Sequence, residues 1–217
     1  QKEETIIIDE VLITQEELYI FKNSEFTNFF KFHNFFPSQI MIISNTNIDR
    51  LSRDVNPILS IITVNYNSGD GLLKTLDSIS ELLKKNNVES ILIDGFSTDD
   101  SLLMLGKKIN LFSVVISERD AGIYDAMNKG IKCATGDWIW FLNSGDIALE
   151  SSSRILNFLV SEKYKYNFLY CNFLTSSGIL VEQNLNIKTL FRGMINHQTI
   201  FYRRDVIDSY DLSYGLC

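Results

Sequence analysis

The sequence predicts an α/β fold with a mostly parallel central sheet flanked by helices. Three observations support this prediction. Apolar runs typical of strands alternate with amphipathic helical stretches from Ile58 onward. The run Trp138–Leu142 has no polar alternation, as expected for a strand buried on both faces. Each predicted strand ends in polar residues, and in open α/β sheets the carboxyl edge of the strands is where ligands bind.

The predicted elements alternate regularly along the chain. In order, the strands and helices are "ILSIITVNYN", "GLLKTLDSISELLKKNN", "VESILIDG", "DDSLLMLGKKIN", "LFSVVISE", "AGIYDAMNKGIKCA", "DWIWFLNS" and a helix around residues 153–162. Leu72, Leu76 and Ile79 share one face of the first helix, which makes it amphipathic. Asp99 is placed to cap the second helix.

The chain divides into two regions at Pro57. Residues 1–56 form an N-terminal extension with an aromatic-rich run from Phe26 to Phe36, and residues 57–217 form the main domain. Three roles for the extension stay open: packing against the main domain, a remnant of a preceding domain, or an interfacial helix that reaches lipid.

Composition and charge exclude some classes of protein. The net charge of -7 and the pI of about 4.9 argue against nonspecific nucleic-acid binding, which needs a basic surface. They do not argue against binding a single nucleotide, because a metal ion can supply positive charge locally. Three widely spaced cysteines without a C-x-x-C pair indicate a reduced, cytoplasmic compartment. The N-terminus lacks the pattern of a signal peptide.

Four polar strand ends are expected to converge on one edge of the sheet. They are Asn65-Tyr66-Asn67, Asp94, Glu118-Arg119-Asp120 and the tetrad Asn143-Ser144-Gly145-Asp146. Crowded carboxylates cost free energy unless a cation joins them. Oxygen ligands without His or Cys nearby in sequence suit Mg²⁺ or Mn²⁺ rather than zinc. The chain has neither a G-x-G-x-x-G dinucleotide motif after its first strand nor a phosphate-binding P-loop.

These residues carry a resemblance to a known family. The chain from about Pro57 to Cys217 resembles the family 2 glycosyltransferases of the GT-A fold, and within them the bacterial exopolysaccharide and colanic-acid-type enzymes. The segments that carry the resemblance are "SIITVNYNSGDGLLKTLDSI", "ILIDGFSTDDS", "ISERDAGIYDAMNKGIKCATGDWIWFLNSGD" and "HQTIFYRRDV". The block from Ile116 to Asp146 is the most specific of them.

The resemblance implies a role for each matching residue. Asp94 matches the acid that reads the nucleotide base, usually uracil, and Tyr66 and Asn67 match the strand end beside that base. Asp146 matches the acid of a D-x-D-like motif that binds Mn²⁺ or Mg²⁺ on the diphosphate. The other matches lie in the nucleotide-sugar pocket or on the acceptor side. The pocket residues are Asp120, Asn128, Lys129, Asn143 and Ser144, and the acceptor-side residues are His197 and Gln198.

The same resemblance implies an activity. The chain is expected to be a hexosyltransferase that moves a sugar from a nucleotide-diphosphate donor to a polysaccharide or lipid-linked glycan, with inversion at the anomeric carbon. A lipid-linked acceptor implies peripheral association with the inner face of the plasma membrane. The family's general base lies in an Asp-containing motif that is expected beyond Cys217, so the chain is expected to be truncated and its base is not assigned. Asp208 and Asp211 precede that position.

Simpler structural readings compete with several of these roles. Asp120 is also placed to cap the following helix, and Asp125 with Lys129 has the spacing of a surface ion pair. Asp94 before Gly95 also fits a plain turn. Gly130 inside a helix costs roughly 1 kcal/mol against alanine, which predicts close packing or ligand approach there. Two other functions stay open: an inactive module that binds sugar nucleotides, and a nucleotidyltransferase.

Overall fold

The computed structural model describes residues 18–19, 40–44, 57–149, 152, 154–161, 165–181 and 196–210. Within these residues the strands are β1 Leu18–Tyr19, β2 Ile40–Ser44, β3 Leu59–Asn65, β4 Val88–Asp94, β5 Val114–Ser117, β6 Trp138–Phe141, β7 Phe168–Tyr170, β8 Phe173–Leu174, β9 Leu180–Val181 and β10 Ile200–Arg203. The α-helices are α1 Gly69–Leu83, α2 Ser101–Leu105, α3 Ile123–Cys133, α4 Ile155–Ser161 and α5 Arg204–Tyr210. Gly106–Leu111 and His197–Thr199 are 3₁₀ helices.

Eight of these strands form one mixed sheet in the order β1-β2-β5-β4-β3-β6-β10-β7. The central strands β5, β4, β3 and β6 are parallel to one another. Strand β2 pairs antiparallel with β5, and β10 pairs antiparallel with both β6 and β7. Strands β8 and β9 form a separate hairpin. The predicted α/β class, with a mostly parallel central sheet flanked by helices, is confirmed.

Apolar side chains cover both faces of the central sheet. Ile61 and Trp140 belong to one buried cluster, together with the inner faces of α1, α2 and α4. Ile62 and Phe141, which neighbour them along the same strands, belong to a second cluster with α3 and α5. All four residues of β6 are buried, which explains the absence of polar alternation in its sequence.

Two local predictions need correction. The second helix is shorter than its sequence pattern suggested, because α2 ends at Leu105 and a 3₁₀ helix follows. The helical spacing of the sequence places Ile123 with Met127 and Gly130 in an apolar stripe of α3, but Ile123 is 45% exposed. Gly130 does pack closely, since an added Cβ would lie 2.4 Å from Ile62 Cγ2. The predictions for the aromatic run of residues 26–36 and for Asp211 lie outside the described residues.

No helix within the described ranges combines the length and the apolar character that crossing a membrane requires.

Candidate functional site

The polar strand ends meet at the carboxyl edge of the central sheet. Asn65 pairs in register with Asp94, and Asp94 pairs with Ser117. On the other side of β3, the chain after β6 continues alongside it, because the Ser144 N–H donates to the carbonyl of Val64 at 3.0 Å. The polar segments that follow β3, β4 and β6 are therefore next to one another. The segment that follows β5 begins directly after Ser117.

Asp94 is fully buried and saturated with hydrogen bonds. Its Oδ1 accepts from Asn65 Nδ2 at 2.7 Å and from Ser97 Oγ at 2.5 Å. Its Oδ2 accepts from Ser97 N at 3.0 Å and from Ser117 Oγ at 2.7 Å. The carboxylate thus ties together the ends of three strands, and it has 0% exposure.

Asn67 fastens the loop after β3 to the loop after β4. Its Oδ1 accepts from the N–H groups of Thr98 and Asp99 at 2.7 and 3.2 Å, and its own N–H donates to Ser97 Oγ at 2.9 Å. Its φ of 47° is one that asparagine tolerates better than most residues. Asn67 therefore positions both loops at the edge of the site.

Tyr66 and Asp120 pack against Gly95. An added Cβ on Gly95 would lie 2.6 Å from Asp120 Oδ2 and 3.2 Å from Tyr66 Cδ2, so a larger residue here would displace the Asp120 carboxylate from this position. Asp120 Oδ1 accepts from Gly122 N at 2.9 Å, but the helix begins at Ile123 with Gly122 as its N-cap residue, so Asp120 closes the turn before α3 and does not cap the helix as the sequence suggested. Tyr66 is 66% exposed. An open aromatic ring and a carboxylate oxygen therefore lie together at the strand ends.

Phe96, the next residue, has a left-handed backbone. Its φ is 61°, which is a genuine outlier for a bulky side chain and costs roughly 1–2 kcal/mol. The Arg119 guanidinium carbon lies 5.7 Å from the centre of the Phe96 ring. A cation–π contact of this kind contributes roughly 0.5–1 kcal/mol at an exposed site, which does not offset the backbone strain.

Lys129 and Asn128 lie on α3, behind the segment that carries Asp120. Lys129 Nζ contacts Glu118 at 2.7 Å and Asp125 at 3.3 Å, and it donates to the carbonyl of Arg119 at 2.9 Å. Burial lowers the pKa of Lys129, but the two carboxylates outweigh it and the net direction is upward. Asn128 is partly buried on the same helix. Lys129 thus anchors the 118–120 segment to α3.

Thr75 on α1 holds the tetrad in place, a role that the sequence did not reveal. Its hydroxyl donates to the carbonyls of Asn143 and Asp146 at 3.1 and 2.8 Å, and it accepts from Gly145 N at 2.9 Å. Thr75 is fully buried. The available signal was a hydroxyl residue inside the apolar stripe of an amphipathic helix.

Asp146, Asn143 and His197 form a compact polar group. Asp146 Oδ2 accepts from Asn143 N at 3.2 Å, and Asn143 Nδ2 lies 3.3 Å from His197 Nε2. The Gln198 side chain also hydrogen-bonds to Asp146. Trp140 Nε1 donates to the Gln198 carbonyl at 2.6 Å and so holds the His197–Thr199 turn against β6. The structure therefore brings the acceptor-side motif to the tetrad, although the two are far apart in sequence.

Burial sets the electrostatics of this group. It raises the pKa of Asp146, against opposing hydrogen bonds from Gln198 and Asn143 and the charge of His197. It lowers the pKa of His197, against the opposing charge of Asp146. The lowered pKa favours a neutral imidazole at neutral pH. A half-buried carboxylate with a raised pKa lacks a strong positive partner, which is the condition that a bound cation relieves.

The tetrad offers oxygen atoms to a cation. Asn143 Oδ1 and Ser144 Oγ are buried and have no hydrogen-bond partner. In the part of the chain that the structure describes, no three His, Cys, Asp or Glu residues cluster as metal ligands. A single carboxylate with neutral oxygens fits Mg²⁺ or Mn²⁺ when phosphate oxygens complete the coordination, as is usual for Mg²⁺.

The fold and this site define a class, the GT-A glycosyltransferases. The model of the family described as "Glycosyl transferase family 2" matches residues 60–205. The chain belongs to glycosyltransferase family 2. Its sequence-based recognition as a member of this family is confirmed.

The chain is similar to part of several curated glycosyltransferases. It is 32% identical over 179 residues to a PGL/p-HBAD biosynthesis glycosyltransferase of Mycobacterium bovis BCG, covering 73% of this chain and 65% of that protein. It is 43% identical over 90 residues to an uncharacterized glycosyltransferase of Mycobacterium tuberculosis, covering 42% of this chain and 34% of that protein. The chain thus spans between about a third and two thirds of these relatives.

Solved structures share the fold at low sequence identity. Residues 1–349 of S. aureus TarS in complex with UDP-GlcNAc have a TM-score of 0.59 and 20% identity, covering 72% of this chain and 48% of that chain. The mannosyltransferase PcManGT of Pyrobaculum calidifontis in complex with GDP-Man and Mn²⁺ has a TM-score of 0.57 and 14% identity, covering 78% and 53%.

Proposed function

We propose that the chain transfers a sugar from a nucleoside-diphosphate donor, with UDP as the first candidate, to a hydroxyl of a polysaccharide or lipid-linked glycan. One structural observation supports this proposal in addition to the family membership. The half-buried carboxylate of Asp146 lies with unpartnered buried oxygens and His197 beside the strand ends where Tyr66 and Asp120 meet. The Asp146 region suits a metal-bound diphosphate, and the neighbouring Tyr66–Asp120 region suits a nucleobase.

The family resemblance supplies the proposed reaction, and this arrangement supports it. The acceptor oxygen bonds to the anomeric carbon while the bond from that carbon to the diphosphate oxygen breaks, and the acceptor proton passes to a carboxylate base. Attack from the face opposite the leaving group gives inversion. Asp146, with Asn143 and Ser144 beside it, would hold Mn²⁺ or Mg²⁺. When bound, the metal would supply Lewis-acid stabilisation of the departing diphosphate.

Chain residues orient the donor. Neutral His197, fixed by Asn143, faces the acceptor side, and Thr75 keeps the Asp146 loop in register. We assign hydrogen bonding of the base to Asp120 rather than Asp94, because all of the hydrogen bonds that Asp94 makes are internal. A carboxylate accepts the single ring N–H of uracil, and it accepts two adjacent N–H groups of guanine. UDP and GDP are therefore both tested.

The test is calorimetric binding of UDP and GDP, with and without Mn²⁺, to the wild type and to Asp146→Asn. The asparagine still accepts the hydrogen bond from Asn143 N, so the loop is expected to keep its shape. Metal-dependent binding should weaken at least tenfold in this variant. Asp77→Asn is the matched control, because Asp77 is an exposed acid on α1 whose carboxylate forms a surface ion pair with Lys108.

Three outcomes decide the proposal. Metal-dependent binding that is lost in Asp146→Asn and kept in Asp77→Asn supports it. Equal binding by Asp146→Asn and the wild type refutes the metal assignment. No binding of either nucleotide by a wild-type chain that circular dichroism shows to be folded refutes the donor site and favours a module without transferase activity.

A further inference from the structure

Phe96 occupies a position where glycine satisfies the backbone without strain. The turn after β4 is held on both sides, since Gly95 N donates to the Asn65 carbonyl at 2.8 Å and Ser97 N donates to Asp94 Oδ2 at 3.0 Å. Phe96, which lies between these two bonds, has a positive φ of 61°. A phenylalanine in this strained conformation persists only because the surrounding structure holds it there. Strained residues of this kind cluster at functional sites.

Packing does not account for the ring. Phe96 belongs to neither of the two apolar clusters that cover the sheet. Its ring lies against Arg119, which is exposed. A side chain that serves the core would be expected in one of those clusters, because core residues contact many apolar neighbours.

The surroundings of Phe96 match a planar ligand. Phe96 follows Gly95, against which Tyr66 and Asp120 pack, and Arg119 immediately precedes Asp120. Two aromatic rings, a carboxylate and a guanidinium thus share the ends of β3, β4 and β5. Bases stack on aromatic rings whatever their sequence identity, because each base has a π face.

We infer that Phe96 is held at positive φ because its ring contacts the nucleobase of the donor and, with Tyr66, forms the aromatic wall of the base subsite. This inference rests on the proposed function and adds to it a residue that determines donor affinity. Arg119 orients the Phe96 ring through the cation–π contact. Asp146, at the diphosphate end of the site, follows β6, whereas the two residues of this wall follow β3 and β4.

The experiment compares Phe96→Gly with Phe96→Tyr. The glycine variant removes the ring and relieves the strain, whereas the tyrosine variant keeps the ring. Phe158→Ala is the control, because Phe158 is an exposed phenylalanine on α4. Each variant is measured by calorimetry with UDP, GDP and pyrophosphate in the presence of Mn²⁺, and by thermal unfolding without ligand. Pyrophosphate reports the metal end of the site without a base.

In Phe96→Gly, we expect the nucleotide affinity to fall while the thermal stability does not. Phe96→Gly should bind the preferred nucleotide roughly tenfold more weakly, keep its pyrophosphate affinity, and unfold at a temperature no lower than that of the wild type. Phe96→Tyr and Phe158→Ala should bind as the wild type does.

Each other outcome overturns the inference. Equal nucleotide affinity in Phe96→Gly shows that the ring does not contact the base, and the donor site stands. A lower unfolding temperature shows that the ring serves the fold. Parallel loss of pyrophosphate and nucleotide binding shows an indirect effect on the whole site. A folded wild type that binds neither nucleotide removes the proposed function and this inference together.

Discussion

At the residue scale, the hydroxyl of Thr75 ties the tetrad to α1 through three hydrogen bonds. It joins two carbonyls and one N–H of the 143–146 loop to α1. Thr75→Val keeps the shape of the side chain but leaves these buried groups without a partner, so we expect a loss of roughly 1–3 kcal/mol in the free energy of unfolding. Because the loop positions Asp146, metal-dependent nucleotide affinity should fall roughly tenfold.

Thr75→Ser is the control for this prediction, since it retains the hydroxyl. Urea unfolding and calorimetry with UDP and Mn²⁺ measure both effects. Wild-type affinity in Thr75→Val would contradict the idea that α1 positions the metal end of the site.

Asp99 makes a pH-dependent contribution to stability. Its Oδ1 accepts from Ser101 N at 3.0 Å and its Oδ2 accepts from Gly69 N at 3.2 Å, so it binds the first N–H groups of α2 and α1, although the N-cap residue of α2 is Asp100 and not Asp99 as the sequence suggested. Burial raises the pKa of Asp99, but the hydrogen bonds from Ser101 and Gly69 outweigh it and the net direction is downward. A lowered pKa in the folded state gives stability that is complete above the unfolded pKa and is lost as the pH falls through the folded pKa.

Asp99→Ala should therefore lower the free energy of unfolding by about 1 kcal/mol at pH 7. The difference from the wild type should shrink as the pH falls below about 4, the ordinary pKa of aspartate. Urea unfolding of both proteins across this range measures it. A difference that stays constant down to about pH 2.5 would show that the charge of Asp99 plays no part.

At the scale of elements, Glu89 joins β3, β4 and the turn before β6 at the amino edge of the sheet. Its Oε1 accepts from Ser60 Oγ at 2.5 Å, Thr135 N at 2.6 Å and Gly136 N at 3.1 Å, and its Oε2 accepts from Thr135 Oγ1 at 2.9 Å. Glu89→Ala leaves several buried donors without an acceptor and should cost at least roughly 1–3 kcal/mol of stability.

This loss should leave nucleotide binding intact, because Glu89 lies at the start of β4 and the candidate site lies at its end. Calorimetry at a temperature where Glu89→Ala is folded compares its UDP affinity with that of the wild type. A tenfold weaker affinity would show that the two edges of the sheet are coupled. The variant thus separates damage to the fold from damage to the site.

The sequence predicted the elements well where their pattern was strong. Strand β6 and helix α1 were evident, because continuous burial and helical amphipathicity leave clear patterns. The end of α2 was not evident from the sequence, because the 3₁₀ helix that follows it has a similar amino-acid composition. The position of Asp94 was also predictable. The hydrogen bonds that fill its carboxylate could not be predicted. They come from Asn65, Ser97 and Ser117, which lie in three separate segments that only the fold brings together.

At the scale of the whole molecule, ligand binding should raise the unfolding temperature. A ligand at 100 times its dissociation constant stabilises the folded state by about 2.7 kcal/mol, which for a domain of this size corresponds to roughly 5–10 °C. We expect this shift with the preferred nucleotide and Mn²⁺, and its loss on adding a chelator. Asp146→Asn is the control, and an equal metal-dependent shift in that variant would contradict the site.

The place of β3 in the sheet has a consequence for how the chain folds. Leu59 of β3 pairs on one side with Val88 and on the other with Trp138, and β4, α2, β5 and α3 all come before that second partner in sequence. During synthesis, β3 and β4 can pair early, whereas the opposite edge of β3 stays open until β6 emerges. An apolar strand with an unpaired edge is prone to aggregate. Late sheet closure over a long sequence separation also makes folding slow. Chains that stop before β6 should therefore accumulate as insoluble material during expression.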